Sequence, residues 1–427
     1  MNFFYQYIQS FNYLTSLANI REDSFHNGKN DPTHYLKRAK LLFKLAGNPE
    51  KAAKKIIVVT GTSGKGTTCN ILHQVLAEAG HKVGTYFSPH PTTGIERIKV
   101  NNLYISPNEF AKTVKKAKPI IDKCFNQLDV PSYFEAFLLI ALLYFFKQKK
   151  CDYIIVEVGC GGRHDAANAL SRIDIAAITN IGKDHLHIIG PTLKDIAFEK
   201  AGIIHNNVCF TTEKNQDFFD IFKKEAKKTN AQLLKISYQK NPNTNLAQSI
   251  AKHLKIKNEF IEKGIAKAKL PCHFEIIQKK PIVILDSAHN PDKLKYFTEE
   301  LKNLKTKKHK DIKTKKLHLV FALSSPKDIK ACLKPLLKNF DCRVYATRFL
   351  VGQRQATDPK KIQQAIKKYW PKTKCETFLD PWQAFHQAKQ NTKADEMILI
   401  TGSTYLCGEL RKHWVSESQI LENRKSF

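Results

Sequence analysis

Short, continuously apolar runs alternate along this chain with longer segments whose apolar residues recur at helical spacing, and that alternation predicts an α/β fold. Aliphatic and β-branched residues at 56–60 predict a strand, followed at once by a glycine turn and by a helical pattern over 68–79 that stops at Gly80. Further strands are predicted at 83–87, 152–158 and 173–179, with a short one at 209–212. Helices are predicted over 33–45, ending at Gly47-Asn48-Pro49, over 107–128 and over 218–230. The run 136–146 is almost wholly apolar, too short to cross a bilayer as a helix, and reads as a core helix. Strands apolar on both faces and joined by helical crossovers predict a mostly parallel sheet, with ligands gathering outside the carboxyl ends of its strands.

The segment 238–280 carries a weaker pattern, with helices predicted at 247–254 and 259–268. Apolar runs at 281–285, 317–321, 342–346 and 397–400 then predict a second α/β domain. The boundary falls near Gln278, dividing the chain into 1–277 and 278–427. A length of 427 residues suits two or three domains.

Composition adds constraints. With 42% hydrophobic and 26% charged residues the chain is an ordinary globular one. The formal charge of +31 invites a polynucleotide partner. No nucleic-acid-binding module emerges, however, and the densest lysine run, 305–316, holds Ile312 as its only aliphatic residue. It reads as a solvated connection, so no dedicated nucleic-acid partner is expected, and the charge suits small anionic substrates. Ten cysteines stand singly without a CxxC pair, which fits reduced thiols. The start of the chain lacks the features of a secretory signal, so a cytoplasmic location without a membrane partner is the expectation.

The chemistry concentrates at strand exits. In Gly61-Thr62-Ser63-Gly64-Lys65-Gly66-Thr67, glycines let backbone N–H groups converge on phosphate where a helix begins. Lys65 can reach the distal phosphates, and a hydroxyl from Thr67 or Thr68 can approach Mg²⁺. The spacing departs from the usual GxxxxGK[ST] pattern. Glu157 ends a very apolar strand just before Gly159-Cys160-Gly161-Gly162, where a carboxylate is costly without a cation or hydrogen-bond partners. His185 follows another strand exit; alone it is a loop histidine, but beside Glu157 and the glycine turn it reads as a metal ligand. Ser88 and Glu135 carry weaker signals, the latter open to a helix-capping explanation.

Taken in order, the turn Gly61 to Thr67, Ser88-Pro89-His90, Glu96-Arg97-Ile98, Phe134-Glu135, Glu157-Val158-Gly159-Cys160-Gly161-Gly162-Arg163, Asp184-His185, Glu199-Lys200-Ala201-Gly202-Ile203, Asp286-Ser287-Ala288-His289-Asn290-Pro291 and Thr401-Gly402-Ser403 form a set spread over 36–411. This set resembles the Mur ligase superfamily, and specifically folylpolyglutamate synthase and its bifunctional form with dihydrofolate synthase activity. The resemblance implies a P-loop ATPase-like N-terminal domain and a smaller Rossmann-like C-terminal domain. It implies ATP-dependent ligation of L-glutamate to a folate or dihydropteroate carboxylate through an acyl phosphate. Lys65 and the glycine turn would then bind ATP phosphates, with Thr67, Ser88, Glu157 and His185 holding Mg²⁺, two ions in all. Lys200 would be the family's carbamylated lysine; read alone, it could be a helix-surface residue. Asp286, His289 and Asn290 would face the nucleotide and the glutamate-side chemistry, though the same residues could simply cap a strand–helix turn. A monomer is favoured, with oligomeric state left open.

Several positions depart from the family pattern. Ser63 replaces a usual asparagine, Thr67 a serine, His164 a leucine, Ala167 a threonine, and Lys183 stands where leucine is common. The segment 321–328 is also divergent. Alternatives are another Mur-type ligase, such as one acting on a cell-wall precursor, a basic nucleic-acid-associated P-loop ATPase, and an inactive structural relative.

Overall fold

The computed structural model describes residues 2–17, 32–184, 186–237, 241–307, 316–350 and 355–427. They form two compact units: Met1–Pro89 with Gly94–Lys269 and Leu421–Lys425, and His90–Thr93 with Leu270–Ile420 and Ser426–Phe427.

The first unit is built on eight strands: β1 (Lys55–Thr60), β2 (Val83–Tyr86), β3 (Ile98–Val100), β4 (Leu103–Tyr104), β5 (Tyr153–Glu157), β6 (Ile175–Ile178), β7 (Val208–Thr212) and β8 (Gln232–Ile236). Their order is β4-β3-β2-β5-β1-β6-β7-β8. All pairs are parallel except β2 with β3 and β3 with β4. The central β1 is buried along all but its first residue, which is why the sequence shows an unbroken apolar run there. Its register sets Val59 opposite Glu157 and Thr60 opposite Ile178. The loops leaving β1, β5 and β6 therefore open on one sheet edge, carrying the glycine turn, the 159–162 loop and the 180–184 segment.

The 136–146 apolar run belongs to the helix Tyr133–Leu143, continued by a π-helical turn over Tyr144–Gln148. Ser132 caps that helix and Glu135 completes a capping box, its Oε2 accepting from Ser132 N at 2.8 Å. The same carboxylate receives Arg38 Nε at 2.8 Å and Nη2 at 3.0 Å, and both side chains are buried. Arg38→Met removes the countercharge from a buried carboxylate, which costs about 3–5 kcal/mol. Urea unfolding followed by circular dichroism checks that loss. No helix among the described residues is long and apolar enough to cross a membrane.

The second unit holds β9 (Glu275–Lys279), β10 (Ile282–Asp286), β11 (Lys316–Phe321), β12 (Asp341–Ala346), β13 (Cys375–Thr377) and β14 (Met397–Thr401). The order is β13-β12-β11-β14-β10-β9, parallel but for the β9–β10 hairpin. Two buried clusters, one centred on Leu319 and Leu399 and one on Val320 and Ile400, mark the alternating sides of its strands. The sequence-based boundary at 278 falls inside β9, which the hairpin ties to the second unit. Of the lysine run 305–316, positions 308–315 lie outside the described residues; the helix Pro291–Lys307 ends and β11 begins at its flanks.

Candidate active site

The glycine turn is strapped to the exit of β6. Thr62 N donates to Asn180 O at 3.0 Å, Ser63 N and Oγ both reach Asn180 Oδ1, and Thr179 Oγ1 donates to Ser63 O at 2.6 Å. A Cβ on Gly61 would lie 1.8 Å from Thr179 Oγ1, so only glycine fits. Gly64 takes φ +81° and starts the helix Lys65–Glu78. The helix's first N–H groups have no partner within the helix and face the loop mouth. Lys65 folds back, its Nζ donating to Gly61 O at 3.0 Å, which keeps the ammonium over the loop. Of the paired threonines, Thr68 is fully buried, with no hydrogen-bond partner for its Oγ1 among the described residues, while Thr67 is half-buried.

Beside the turn stands Glu157, 7% exposed, whose Oε2 accepts from Ser88 N at 3.1 Å. Its carboxylate oxygens are 3.5 Å from where a Cβ on Gly66 would be, so the carboxylate looks directly onto the glycine turn. Ser88 Oγ accepts from Arg97 Nη1 at 3.2 Å, and the Arg97 guanidinium is buried over the rings of Tyr133 and Phe137. Arg97, part of a motif in the sequence, thus positions Ser88. The 159–162 loop is shaped by Asp165, whose Oδ2 accepts from Gly159 N and Cys160 N and whose Oδ1 accepts from Ala167 N. Burial pushes the Asp165 carboxyl up, and these amides with the Lys65 charge oppose it. Neither Asp165 nor Asn180 was singled out in the sequence; a short polar side chain at a strand exit was the available signal.

Lys200 arrives from the helix Leu193–Ala201, pinned against the same loop. A Cβ on Gly162 would meet Glu199 O at 2.9 Å and Lys200 O at 3.1 Å, and one on Gly202 would meet Arg163 Cα at 2.3 Å. Arg163 N donates to Glu199 O at 2.7 Å, and His164 Nδ1 pairs with the Glu199 carboxylate at 3.0 and 3.2 Å. The reading of Lys200 as a helix-surface lysine is corrected: it is helical but 4% exposed. Burial first, then the Lys65 charge, brings its ammonium down to about 7, against smaller opposing contributions from Cys160, Asp184 and Glu199. No described residue hydrogen-bonds its Nζ. Lys200 shares one cavity with Thr60, Gly61, Thr62, Lys65, residues 158–161 and Asp184. His185 lies outside the described residues, so its expected place as a metal ligand has no geometry here.

Gly162→Ala forces a methyl into that backbone contact. It is expected to cost about 1–3 kcal/mol as an overpacking change. A lowered Tm by calorimetry checks it.

In the second unit Asp286 ends β10 opposite Thr401. Its Oδ2 accepts from Phe274 N at 2.8 Å and its Oδ1 from Ala288 N at 2.9 Å, closing the strand–helix turn. Burial pushes this carboxyl up, while the His273 charge and the two amides pull the other way. Asn290 Oδ1 accepts from Lys293 N at the start of the next helix. His289 places Nε2 3.2 Å from Lys293 Nζ, and its backbone carbonyl accepts from Lys327 Nζ at 2.9 Å. The Thr401-Gly402 motif holds the turn from below, through Thr401 Oγ1 and Gly402 N to Ala288 O.

The family model for the Mur ligase middle domain matches residues 59–277, just over half the chain, and that for the dihydrofolate synthetase C-terminal domain matches 271–413. The Bacillus subtilis dihydrofolate synthase/folylpolyglutamate synthase is 30% identical over 421 residues, covering 88% of this chain and 94% of the relative. The chain belongs to the dihydrofolate synthase/folylpolyglutamate synthase family of Mur ligases. As a member of that family it is an ATP-dependent acid–amino-acid ligase. Membership in this branch decides against the cell-wall and nucleic-acid-associated alternatives. Among solved members of the family, the E. coli FolC structure with DHPP and ADP has a TM-score of 0.78 at 28% identity, covering 95% of this chain and 97% of that one. A bifunctional folylpolyglutamate synthase/dihydrofolate synthase with Mn, AMPPNP and L-glutamate bound has a TM-score of 0.76 at 28% identity, covering 88% and 93%.

Proposed function

We propose that this ligase carries both family activities, joining L-glutamate to dihydropteroate and extending folates, with ATP phosphates seated on the turn Gly61 to Thr67. The phosphate seat rests on the convergence of Lys65, Glu157 with Ser88, and Lys200 on one sheet edge, and the pairing of activities on the match to a dihydrofolate synthase/folylpolyglutamate synthase over 88% of the chain. In the reaction, a substrate carboxylate oxygen attacks the γ-phosphorus and ADP leaves. The amino nitrogen of glutamate then attacks the acyl carbon, loses a proton and expels phosphate.

Lys65 and the helix N-terminal amides hold the transferring group where its charge develops. Ser88 and Glu157 offer hard oxygen donors beside the glycine turn, which fits Mg²⁺, an ion that keeps phosphate and water ligands rather than a full protein cage. Among the described residues no group of three His, Cys, Asp or Glu side chains forms such a cage. When bound, the ions neutralise phosphoryl oxygens. Thr67 and His185 complete the proposed donors, for two ions in all. Lys200, with an amine neutral above about pH 7, is set up to add CO₂ and become a carbamate that supports a metal. In the second unit, Asp286 fixes the turn that carries His289 and Asn290, the residues proposed for the glutamate-side chemistry.

Mass spectrometry of products from separate incubations with dihydropteroate and a reduced folate tests the pairing of activities. Mono-glutamylated product from the first and a lengthened chain from the second are expected. Product from only one acceptor refutes the dual assignment.

A further inference from the structure

Among the residues that line the cavity at the phosphate turn is a cysteine whose thiol ligation does not use. Eight of the ten cysteines are buried, and burial pushes up the thiols of Cys69, Cys124, Cys151, Cys209, Cys272 and Cys342. Cys375 is partly exposed, yet desolvation takes it to about 12. Cys160 is the other partly exposed cysteine, and it lines the cavity with Lys65, Lys200 and Asp184. Its neighbours Gly159 and Gly161 have no side chains to cover it, and its backbone is held by the bond from Cys160 N to Asp165 Oδ2.

An independent feature marks the cavity as a ligand site. Lys200 is 4% exposed, lines the same wall, and has no hydrogen-bond partner for its Nζ among the described residues. A partly exposed thiol beside two lysines is also the setting in which cysteines react.

We propose that Cys160 is a covalent modification site for low-molecular-weight disulfides, and that its occupation excludes the nucleotide's phosphates from the cavity. This rests on reading the cavity as the phosphate site. The Cys160 sulfur, its proton given to solvent, attacks one sulfur of the disulfide. A new S–S bond forms, the original S–S bond breaks, and the other half leaves as a thiolate, so no further oxidant is needed. An added dithiol reverses the exchange. The modification would place several atoms between Lys65 and Lys200.

The test treats the full chain with neutral hydroxyethyl disulfide and follows labelling by peptide mass spectrometry, with ADP binding measured separately by calorimetry. Cys160 is expected to be the first cysteine labelled. ADP at about ten times its Kd should slow that labelling roughly tenfold, because only the free fraction reacts. Labelled protein should lose ADP binding and turnover, and dithiothreitol should restore both. For Cys160→Ser and Cys160→Ala, each compared with its own untreated sample, the reagent should leave turnover unchanged. Labelling no faster than at Cys375, or labelling of Cys160 with ADP binding retained, overturns the proposal while leaving the phosphate site intact. Failure of the untreated protein to bind ADP overturns the phosphate-site reading and the proposal with it.

Discussion

Lys65→Ala is expected to lower turnover by about 10²–10³-fold, the scale set by removing one aimed charge from a group whose negative charge moves in the transition state. The fold should survive. Lys65 is half-buried on the first turn of its helix, and the hydrogen bond its side chain makes among the described residues, to Gly61 O, is local. The turn is held instead by Asn180, Thr179 and Thr62, which the substitution leaves in place. Steady-state kinetics alongside circular dichroism separate the two effects. A folded variant with near-normal turnover would refute the phosphate role.

Lys200→Ala is expected to cost about 10–100-fold, the range seen when a group supporting a bound metal is removed. The wild-type enzyme should also show its own pH signature. An amine near 7 is largely protonated at pH 6 and largely neutral at pH 8, and only the neutral form adds CO₂. Carbamate occupancy and activity should rise together across that window and fall in CO₂-depleted buffer, with bicarbonate restoring them. Carbon-13 NMR with labelled bicarbonate reads the occupancy; an identical carbonyl signal in Lys200→Ala would contradict the assignment. Stability has a matching sign. The folded value lies below that of a free lysine, so the unfolded chain binds the extra proton between the two values. Burying Lys200 therefore destabilises the fold most below about pH 7, and that cost is relieved as pH rises toward 10.5.

Much of the site was legible because its residues sit at the ends of strands that are apolar on both faces. β1, β5, β6 and β10 appear in the sequence as unbroken aliphatic runs, and Gly61, Glu157 and Asp286 stand where those runs stop. Strands at or next to the sheet edges were harder to see. β3, β4, β8 and β13 are short or half-buried, so their side chains follow neither a clean alternation nor an apolar run. β9 has the same half-buried character, so the first apolar run legible beyond the boundary near 278 is the one at 281–285.

Position within the cavity was the least legible property. The burial of Lys200 depends on two glycines, Gly162 and Gly202, allowing backbone contact between segments far apart in sequence. Periodicity around Lys200 carries no trace of that contact. Asn180 likewise acts through a backbone amide of a loop far away in sequence, and Asp165 through two amides of its own loop. Glu135 illustrates the converse: the capping explanation visible in the sequence is present, joined by the Arg38 pair that local pattern cannot reveal.

Oxygen tracing tests the central claim most directly. With dihydropteroate labelled by ¹⁸O in its carboxylate, ligation through an acyl phosphate transfers one labelled oxygen to inorganic phosphate at each turnover, and only when ATP and L-glutamate are both present. Phosphate that stays unlabelled while glutamylated product accumulates would contradict the account.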